Sequence, residues 1–333
     1  MILNSLKLVE TARNQMINAD VNHLAILDKL IVEDPMTPRL YRPPKQTQTL
    51  WPTEASVQYS IDGIKITEGA CARAVYYRLI GTKPDSDKDP RMHWIYLVGK
   101  NWEDDCNELS ALAGILSGKS LRFRNEKTKL PISGEMDSVC SFRDQNGKEI
   151  KYVIDYKTTG GSYESISSLL GNSKKNPFPK VSNLLQLMIY LDYDPENLKL
   201  GKLVYLIRDS LQRTEFSIQL DDSEARNAIV KGAIYEREDI LTAKPKVYLQ
   251  YSMKEIYRRF DYIAEHYFAN QLPEREFQLI YTKERAEELW SLGKIAKGSY
   301  EKVISGKAHE AGDFQCRYCP FKNTCWKENS NVK

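Results

Sequence analysis

Residues 132–159 read ISGEMDSVCSFRDQNGKEIKYVIDYKTT. Two runs rich in β-branched and aromatic residues flank a polar turn, which is the pattern of an antiparallel β-hairpin. Asn146 and Gly147 mark the turn. A three-residue loop that ends at Gly147 gives this glycine the left-handed conformation that such loops favour. The stretch therefore predicts the hairpin around which the rest of the sheet is built.

The predicted pairing brings acidic side chains together. Centred on Asn146, it sets Asp155 opposite Asp137 on one face of the sheet. Lys157 points to that same face, because strand residues two positions apart share a face. Two facing carboxylates repel each other unless a cation lies between them, and Mg²⁺ or Mn²⁺ is the usual occupant. The alternatives are a solvent-facing hairpin with scattered charges, and a register shifted by one residue, which would separate the aspartates.

Helices are predicted on both sides of the hairpin. Upstream, residues 68–80 form a helix that Gly81 ends, and apolar spacing predicts a second helix over 94–116. Downstream, VSNLLQLMIYLDY (181–193) predicts a strongly apolar helix with Ser182 or Asn183 as its cap. The core candidates of the second helix are Leu97, Trp102, Leu109, Leu112 and Leu116. The remaining expectations are a hairpin of KLVYLIRD and RTEFSIQL, then helices at about 222–241, 252–270 and 283–305.

Composition sets the broad class of the protein. Of 333 residues, 41% are hydrophobic and 28% are charged, as in ordinary globular proteins. No stretch approaches the ~20 consecutive apolar residues of a membrane span, and the N-terminus lacks the apolar core of a secretory signal, so a cytoplasmic location is expected. A net charge of +3 is compatible with one basic groove for nucleic acid. Basic residues cluster at 39–45, 120–129 and 256–260.

Three short motifs follow one another in the order GEMDSV, VIDYKT and QLMIY. They resemble the RecB-type branch of the PD-(D/E)XK nucleases, which has an aspartate after a glycine, a D-x-K strand and a Q-x-x-x-Y helix. The glycine of the first motif is Gly134. The resemblance implies that Asp137 and Asp155 bind metal together with the backbone carbonyl of Tyr156. Lys157 would position the attacking water, and Gln186 and Tyr190 would hold the nucleotide.

The same family places a histidine or glutamate on an upstream helix, four residues after a glycine. Gly99 and Glu103 have that spacing in LVGKNWEDD, so the resemblance implies Glu103 as the third metal ligand. His93 is the competing candidate, although it precedes the glycine and the expected helix start. Asp104 and Asp105 are the acidic alternatives beside Glu103.

Three of the six cysteines lie within ten residues near the C-terminus. Cys316, Cys319 and Cys325 form a C-x2-C-x5-C pattern, which suits zinc or an iron–sulfur cluster. The fourth ligand would be His309 for zinc, or a distant cysteine for a cluster. The remaining cysteines are Cys71, Cys106 and Cys140.

The cysteine pattern strongly resembles the iron–sulfur RecB-type nucleases, which include the CRISPR-associated Cas-four family and the nuclease domain of the AddB subunit. In these proteins one cysteine precedes the nuclease core and three follow it. The resemblance implies that Cys71, Cys316, Cys319 and Cys325 hold a [4Fe-4S] cluster. Cys106 and Cys140 are expected to be small buried hydrophobes.

The resemblance also implies a fold and an activity. The fold is α/β, with a restriction-endonuclease-like core of a mixed central sheet flanked by helices and a C-terminal cysteine-rich cluster-binding segment. Residues 1–66 would be an N-terminal helical or irregular extension. Residues 67–333 would be the nuclease domain, with a helical insertion at about 277–312.

The implied activity is Mg²⁺- or Mn²⁺-dependent exonucleolytic cleavage of DNA, at single-stranded ends. Tyr76, Tyr77 and Arg78 are expected to line the DNA path. The alternative is a DNA-binding or scaffold module that does not cleave; the filled acidic and lysine positions favour activity. A helicase, a recombinase or a CRISPR-adaptation protein would be the protein partner.

Overall fold

The computed structural model describes residues 48–85, 90–143, 146–160, 163–171, 177–193, 198, 200–236, 239–242, 244–307 and 311–327. The helices are α1 Ala72–Leu79, α2 Pro90–Leu112, α3 Tyr163–Leu170, α4 Val181–Tyr193, α5 Met253–Phe268, α6 Lys283–Ser291, α7 Lys297–Ile304, α8 Phe314–Arg317 and α9 Lys322–Lys327. The strands are β1 Ser56–Ile61, β2 Ile64–Gly69, β3 Leu116–Asn125, β4 Ile132–Arg143, β5 Glu149–Thr159, β6 Leu200–Ile207, β7 Arg213–Leu220, β8 Asn227–Glu236, β9 Asp239–Thr242 and β10 Lys246–Ser252. A 3₁₀ turn, Pro52–Glu54, precedes β1.

A mixed sheet forms the centre of the molecule. In the described part of the chain its strand order is β10-β8-β7-β6-β5-β4-β3, with β9 paired to β8. The β5–β6 pair is parallel and the other neighbours are antiparallel. This confirms the predicted α/β architecture with a mixed central sheet flanked by helices.

The hairpin β4–β5 has the predicted register. Ser138 faces Ile154, and the pairing runs to Arg143 opposite Glu149. Gly147 adopts a φ of +77°, the left-handed conformation expected of it. One step beyond Ser138 and Ile154, this register brings Asp137 opposite Asp155.

Helix α4 has the predicted bounds and is buried along nearly its whole length, from Leu184 to Asp192. It is covered on every side because it contacts β6 and β7 of the large sheet as well as β2, the 3₁₀ turn and α5. The capping prediction is wrong. The carbonyl of Lys180 accepts the Asn183 and Leu184 N–H groups, so Ser182 and Asn183 lie inside the helix.

Two elements differ from the sequence-based expectation. The segment expected to be a helix at 222–241 forms strands β8 and β9, because β8 pairs along its length with β7. The helix expected over 283–305 is divided into α6 and α7 at Gly293, which has a φ of +62°.

The stretch expected to be irregular before residue 66 contains the hairpin β1–β2, whose turn is formed by Asp62 and Gly63. Both turn residues have positive φ, +50° and +80°, as a two-residue hairpin turn requires. The hairpin contacts α4 and α5. The division at residue 66 stays a prediction, and residues 1–47 lie outside the described residues.

Helix α2 begins at Pro90, so His93 lies within it rather than before it. Two leucines of this helix that were predicted to lie in the core are exposed: Leu109 is 65% exposed and Leu112 is 79% exposed. The helix buries Asn107 and Ser110 instead, and the Ser138 hydroxyl on β4 donates to Asn107 Oδ1. No helix in the described ranges combines the length and apolarity that crossing a membrane requires.

Candidate active site

A pair of carboxylates, Asp137 and Asp155, lies at the end of the β4–β5 pairing that is far from the turn, one residue beyond Ser138 and Ile154. Asp155 is fully buried, and its Oδ2 has no hydrogen-bond partner among the described residues. Burial raises the pKa of Asp137 well above its ordinary value of 3.8, and the charge of Asp155 raises it further. The Tyr156 backbone N–H donates to Asp137 and opposes this shift. The two carboxylates therefore share a site that favours a proton or a cation between them.

Lys157 supplies the positive charge beside this pair. Its Nζ lies 2.7 Å from Asp155 Oδ1, which confirms the predicted common face. Burial lowers the pKa of Lys157, but Asp155 and Asp137 outweigh burial and raise it above its ordinary value. Glu103 contributes to the same rise. Lys157 is therefore a protonated, cationic side chain at neutral pH.

Glu103 reaches this site from α2. Gly99 allows the close approach, because a Cβ at this position would lie 3.2 Å from Thr158 Oγ1 on β5. The carboxylate of Glu103 accepts a hydrogen bond from Lys100 Nζ at 2.8 Å. Its negative charge also raises the pKa of Lys157. The helix therefore brings an acidic side chain to within electrostatic reach of the carboxylate pair.

The alternatives to Glu103 have other surroundings. Asp104 accepts from Lys119 Nζ at 2.6 Å, which directs it to an exposed ion pair. Asp105 is exposed. His93 is buried, and its Nδ1 has no hydrogen-bond partner in the described ranges.

Asp137, Asp155 and Glu103 are the side chains that a divalent cation at this site would contact. No three His, Cys, Asp or Glu side chains of the described residues are grouped tightly enough to hold a metal ion as they stand. The Asp137–Asp155 pair nevertheless has the right chemistry, since hard cations prefer carboxylate oxygens and Asp155 Oδ2 is buried without a partner. The pair fits a cation, and Glu103 must leave Lys100 to become a third ligand.

Gln186 and Tyr190 are buried side by side on α4. The Gln186 side-chain amide donates to the Tyr190 hydroxyl at 2.7 Å, and this hydroxyl donates to the Glu135 carbonyl at 3.0 Å. Glu135 lies two residues before Asp137 on β4. The predicted i, i+4 pair therefore exists, and its observed contacts join α4 to the strand that carries Asp137.

Four cysteines from the two ends of the described chain converge. The pKa of Cys316 is raised to about 12, first by burial and then by the negative charges of Cys71, Asp313, Cys319 and Cys325, which places the other three cysteines within electrostatic reach of Cys316. Cys71 directly precedes α1, and Arg73 Nη1 lies 3.7 Å from Cys325 Sγ. These are the four cysteines that the family resemblance implies as ligands.

This convergence is looser than a zinc site. No three of these thiols are grouped tightly enough, among the described residues, to hold a single ion. A four-iron cluster separates its ligand sulfurs more widely than one zinc ion does, because iron atoms lie between them. Four cysteine thiols are the donor type that such a cluster uses. His309, the alternative zinc ligand, lies outside the described residues, Cys140 is buried as expected, and Cys106 is half-buried.

The expected DNA-path residues beside Cys71 are not available for DNA. Tyr76 and Tyr77 are buried. Arg78 donates to Glu54 at 2.7 Å, and its guanidinium lies 4.0 Å from the ring centroid of Trp51. This expectation is wrong, because all three side chains are used to pack the 3₁₀ turn and the cysteine segment against α1.

The basic runs are likewise engaged within the chain. The run at 39–45 lies outside the described residues, and the other two form ion pairs with acidic side chains. These pairs are Arg122 with Glu135, Arg124 with Glu126, Lys127 with Asp192, Lys129 with Glu265, Arg258 with Glu255 and Arg259 with Glu276.

Two cations near the carboxyl end of β5 were missed in the sequence. Lys180 Nζ donates to Thr159 Oγ1 at 2.7 Å, two residues beyond Lys157. Burial lowers the pKa of Lys180, and the nearby charge of Arg208 lowers it further. Lys180 precedes α4 and Arg208 follows β6, and ligands commonly bind where parallel strands end. The available signals were Arg208 near the end of the predicted strand KLVYLIRD and Lys180 directly before the predicted helix 181–193.

A family model described as the PD-(D/E)XK nuclease superfamily matches residues 108–326. The match includes Asp137, Asp155 and Lys157 but begins after Cys71 and Glu103. The crystal structure of SSO0001 matches 91% of this chain and 96% of its own, with 15% identity and a TM-score of 0.40. Among curated proteins, none matches the chain significantly.

Proposed function

Given that the chain belongs to the PD-(D/E)XK nuclease superfamily, we propose that it is a Mg²⁺- or Mn²⁺-dependent exonuclease acting on single-stranded DNA ends. Membership places it among nucleases; the metal, the mode of attack and the substrate are the proposal. The observation that carries it is the buried Asp137–Asp155 pair with Lys157 alongside and one carboxylate oxygen left without a partner.

Asp137, Asp155 and Glu103 would hold the cation, together with the backbone carbonyl of Tyr156. When bound, a divalent cation supplies charge stabilisation for the phosphoryl oxygens and the leaving oxygen. The support for this ligand set is the electrostatic strain of the metal-free pair, in which burial and Asp155 raise the pKa of Asp137.

Lys157 would orient the attacking water and stabilise negative charge on the phosphate. Its raised pKa argues against a general base, because a protonated ammonium has no lone pair to accept a proton. The 2.7 Å bond to Asp155 holds Nζ in place before substrate arrives. Such preorganised charge is what lowers the barrier of phosphoryl transfer.

Gln186 and Tyr190 were predicted to hold the nucleotide, and that role stays a prediction. We propose a positioning role for them as well, because the Tyr190 hydroxyl bonds to the Glu135 carbonyl. Because Glu135 lies two residues before Asp137 on β4, a bond that holds Glu135 in place would also hold Asp137 beside Asp155.

Cys71, Cys316, Cys319 and Cys325 would hold a structural [4Fe-4S] cluster. The support is that negative charge on each of the other three cysteines raises the pKa of Cys316. A cluster there would join α1 to α9 and so close the domain, as a crosslink over a long loop does.

Helices α6 and α7 would form the insertion proposed at about 277–312. They have a small core of their own, in which Ala286, Val303 and Ala311 are buried. The Trp290 and Tyr300 rings stack with centroids 4.6 Å apart. A partner, whether helicase, recombinase or CRISPR-adaptation protein, is likewise a proposal.

The test of the nuclease is degradation of end-labelled single- and double-stranded DNA by anaerobically purified protein, with Mg²⁺ or Mn²⁺. We expect metal-dependent loss of label from single strands, and none with Asp155→Asn. The control is Asp221→Asn, which changes a carboxylate directly after β7 that is bonded to Asn227. Wild-type protein that binds DNA without cutting it would favour the non-cleaving module.

The test of the cluster compares Cys319→Ser with Cys106→Ser. We expect the first variant to lose bound iron and visible absorbance and to unfold at lower temperature, whereas the second keeps all three properties. A Cys319→Ser protein with wild-type iron content would refute the ligand assignment.

A further inference from the structure

A cavity of about 560 Å³ separates the cysteine segment from the start of α4. Cys71 and Cys319 line it on one side, and Lys180 and Ser182 line it on the other. It therefore connects the proposed cluster with the carboxyl end of β5, where Lys180 is bonded to Thr159. Apart from Cys71 and Cys319, the side chains that line this cavity have no role in the function proposed above.

Two large aromatic side chains stand at this cavity in contact with solvent. Phe314 and Tyr318 both line it, and they are 71% and 69% exposed. Their ring centroids are 4.7 Å apart. Exposed pairs of large rings are uncommon, because their burial would stabilise the fold. Neither ring is among the residues that pack around Tyr77 and Phe321.

The segment that carries Phe314 and Tyr318 is attached to the body of the protein. Gln315, between the rings, donates its side-chain amide to the Gly69 carbonyl at 3.3 Å. Cys316 beside it is buried. The rings are therefore held in place before any ligand binds, which reduces the entropy lost on binding.

The charge around the cavity suits a polyanion. Arg317 is exposed, lies 6.0 Å from the Tyr318 ring centroid, and has no ion pair among the described residues. Lys180 lines the cavity, and Arg208 is close enough to Lys180 for the two charges to interact. The acidic group of the cavity, Glu68, is neutralised by Lys294 at 3.0 Å.

We propose that Phe314 and Tyr318 form a stacking platform for the bases of an unpaired DNA strand, whose phosphates pass Lys180 and Arg208 on the way to Lys157. The inference rests on the nuclease function proposed above and names how its substrate is selected. Unpaired bases offer free faces to aromatic rings, whereas the faces of paired bases are covered in a duplex. Cys71 and Cys319 would hold the cluster, whereas Phe314 and Tyr318 are not among its proposed ligands and are exposed to solvent.

The platform replaces the path first expected at Tyr76 and Tyr77. Those rings are buried, while Phe314 and Tyr318 belong to the same cysteine segment and are open to solvent. The segment that would hold the cluster thereby also presents the substrate-binding surface. Loss of the cluster is expected to misplace the rings and weaken binding of unpaired DNA.

The experiment measures DNA binding by fluorescence anisotropy with the cluster-loaded, full-length protein in chelator, so that no cleavage is needed. The probes are a labelled thymidine oligonucleotide and a blunt duplex of equal length. For Phe314→Ala/Tyr318→Ala we expect the dissociation constant for the single strand to rise roughly tenfold or more, with little change for the duplex. The control Phe268→Ala removes an exposed ring that does not line the cavity and is expected to bind as wild type does.

A second variant separates stacking from stability. Phe314→Leu/Tyr318→Leu keeps apolar volume but has no planar face, so it should bind single strands as weakly as the alanine variant, with wild-type iron content. Wild-type affinity in both variants, or equal losses for single strand and duplex, would overturn the platform. Because binding is read without divalent metal, a protein that never cleaves DNA would sink the nuclease proposal and leave this result standing.

Discussion

The ammonium group of Lys157 lies 2.7 Å from Oδ1 of Asp155, while Oδ2 of the same carboxylate has no partner among the described residues. Oδ1 is therefore paired with a positive charge of the protein itself, and the proposed metal ion would bind at Oδ2. Because Lys157 and the proposed metal ion would contact different oxygens of Asp155, their roles can be tested separately.

Replacing Lys157 with Met should lower the turnover number about a hundredfold or more, because preorganised charge at the phosphate is lost. Affinity for Mn²⁺, measured by calorimetry, should stay the same or increase, since a cation that repels the metal has been removed. The control is Lys202→Met, which removes a strand lysine bonded to Glu215 at 2.6 Å. An unchanged turnover number in the Lys157 variant would contradict the role proposed for Lys157.

Metal-free protein should lose stability as pH rises above about 4. The pKa of Asp137 is raised in the folded state above its ordinary value of 3.8, so the folded protein retains a proton that the unfolded chain releases. The free energy of unfolding then falls with pH by up to about 1.4 kcal/mol per unit until the raised pKa is passed. Urea unfolding in chelator should show this slope, and Asp137→Asn should flatten it. Equal slopes for both proteins would contradict the shift.

Replacing Arg259 with Met should lower the free energy of unfolding by about 3–5 kcal/mol, because Glu276 is left as a buried, unpaired charge. The two side chains are 2% and 5% exposed and are joined at 2.7 Å. Arg258→Met is the matched control, since that arginine is 54% exposed and its loss should cost under about 1 kcal/mol. Chemical denaturation measures both. The double change Arg259→Met/Glu276→Leu should recover most of the loss; equal stability of the two single variants would show that burial of the pair is unimportant.

Removing the Tyr190 hydroxyl tests the positioning role proposed for it. Tyr190→Phe leaves the Glu135 carbonyl without its donor, which should cost about 1–3 kcal/mol of stability and weaken Mn²⁺ binding as Asp137 moves. Tyr251→Phe removes a comparable buried hydroxyl, bonded to Glu68 at 2.8 Å, and should reduce stability alone. If both variants bind Mn²⁺ as wild type does, Tyr190 has no effect on the ligand pair.

Local patterns predicted the central hairpin and the helix after it. The register follows from one turn, because Asn146 and Gly147 fix where the strands face each other. Helix α4 follows from an uninterrupted apolar run. Both predictions depend on short-range rules that tertiary structure did not override.

Long-range packing decided the elements that were missed. Residues 227–236 contain good helix formers, yet pairing with β7 makes them a strand. Leu109 and Leu112 have helical spacing, but Asn107 faces the sheet through its bond to Ser138. The β1–β2 hairpin could have been found, since Asp62-Gly63 between alternating apolar residues is a strong local signal. The burial of Tyr76 and Tyr77 could not, because it depends on a segment distant in sequence.

That distant contact has a consequence for synthesis. Phe321 packs against Tyr77 with ring centroids 5.6 Å apart, and Thr324 donates to Asp85 at a separation of 239 residues. At roughly 5–20 residues per second, a ribosome leaves α1 without its covering segment for on the order of 10–50 seconds. During that interval Tyr77 and Cys71 emerge unprotected into the cell. Packing around α1 can therefore be completed only after α9 has been synthesised.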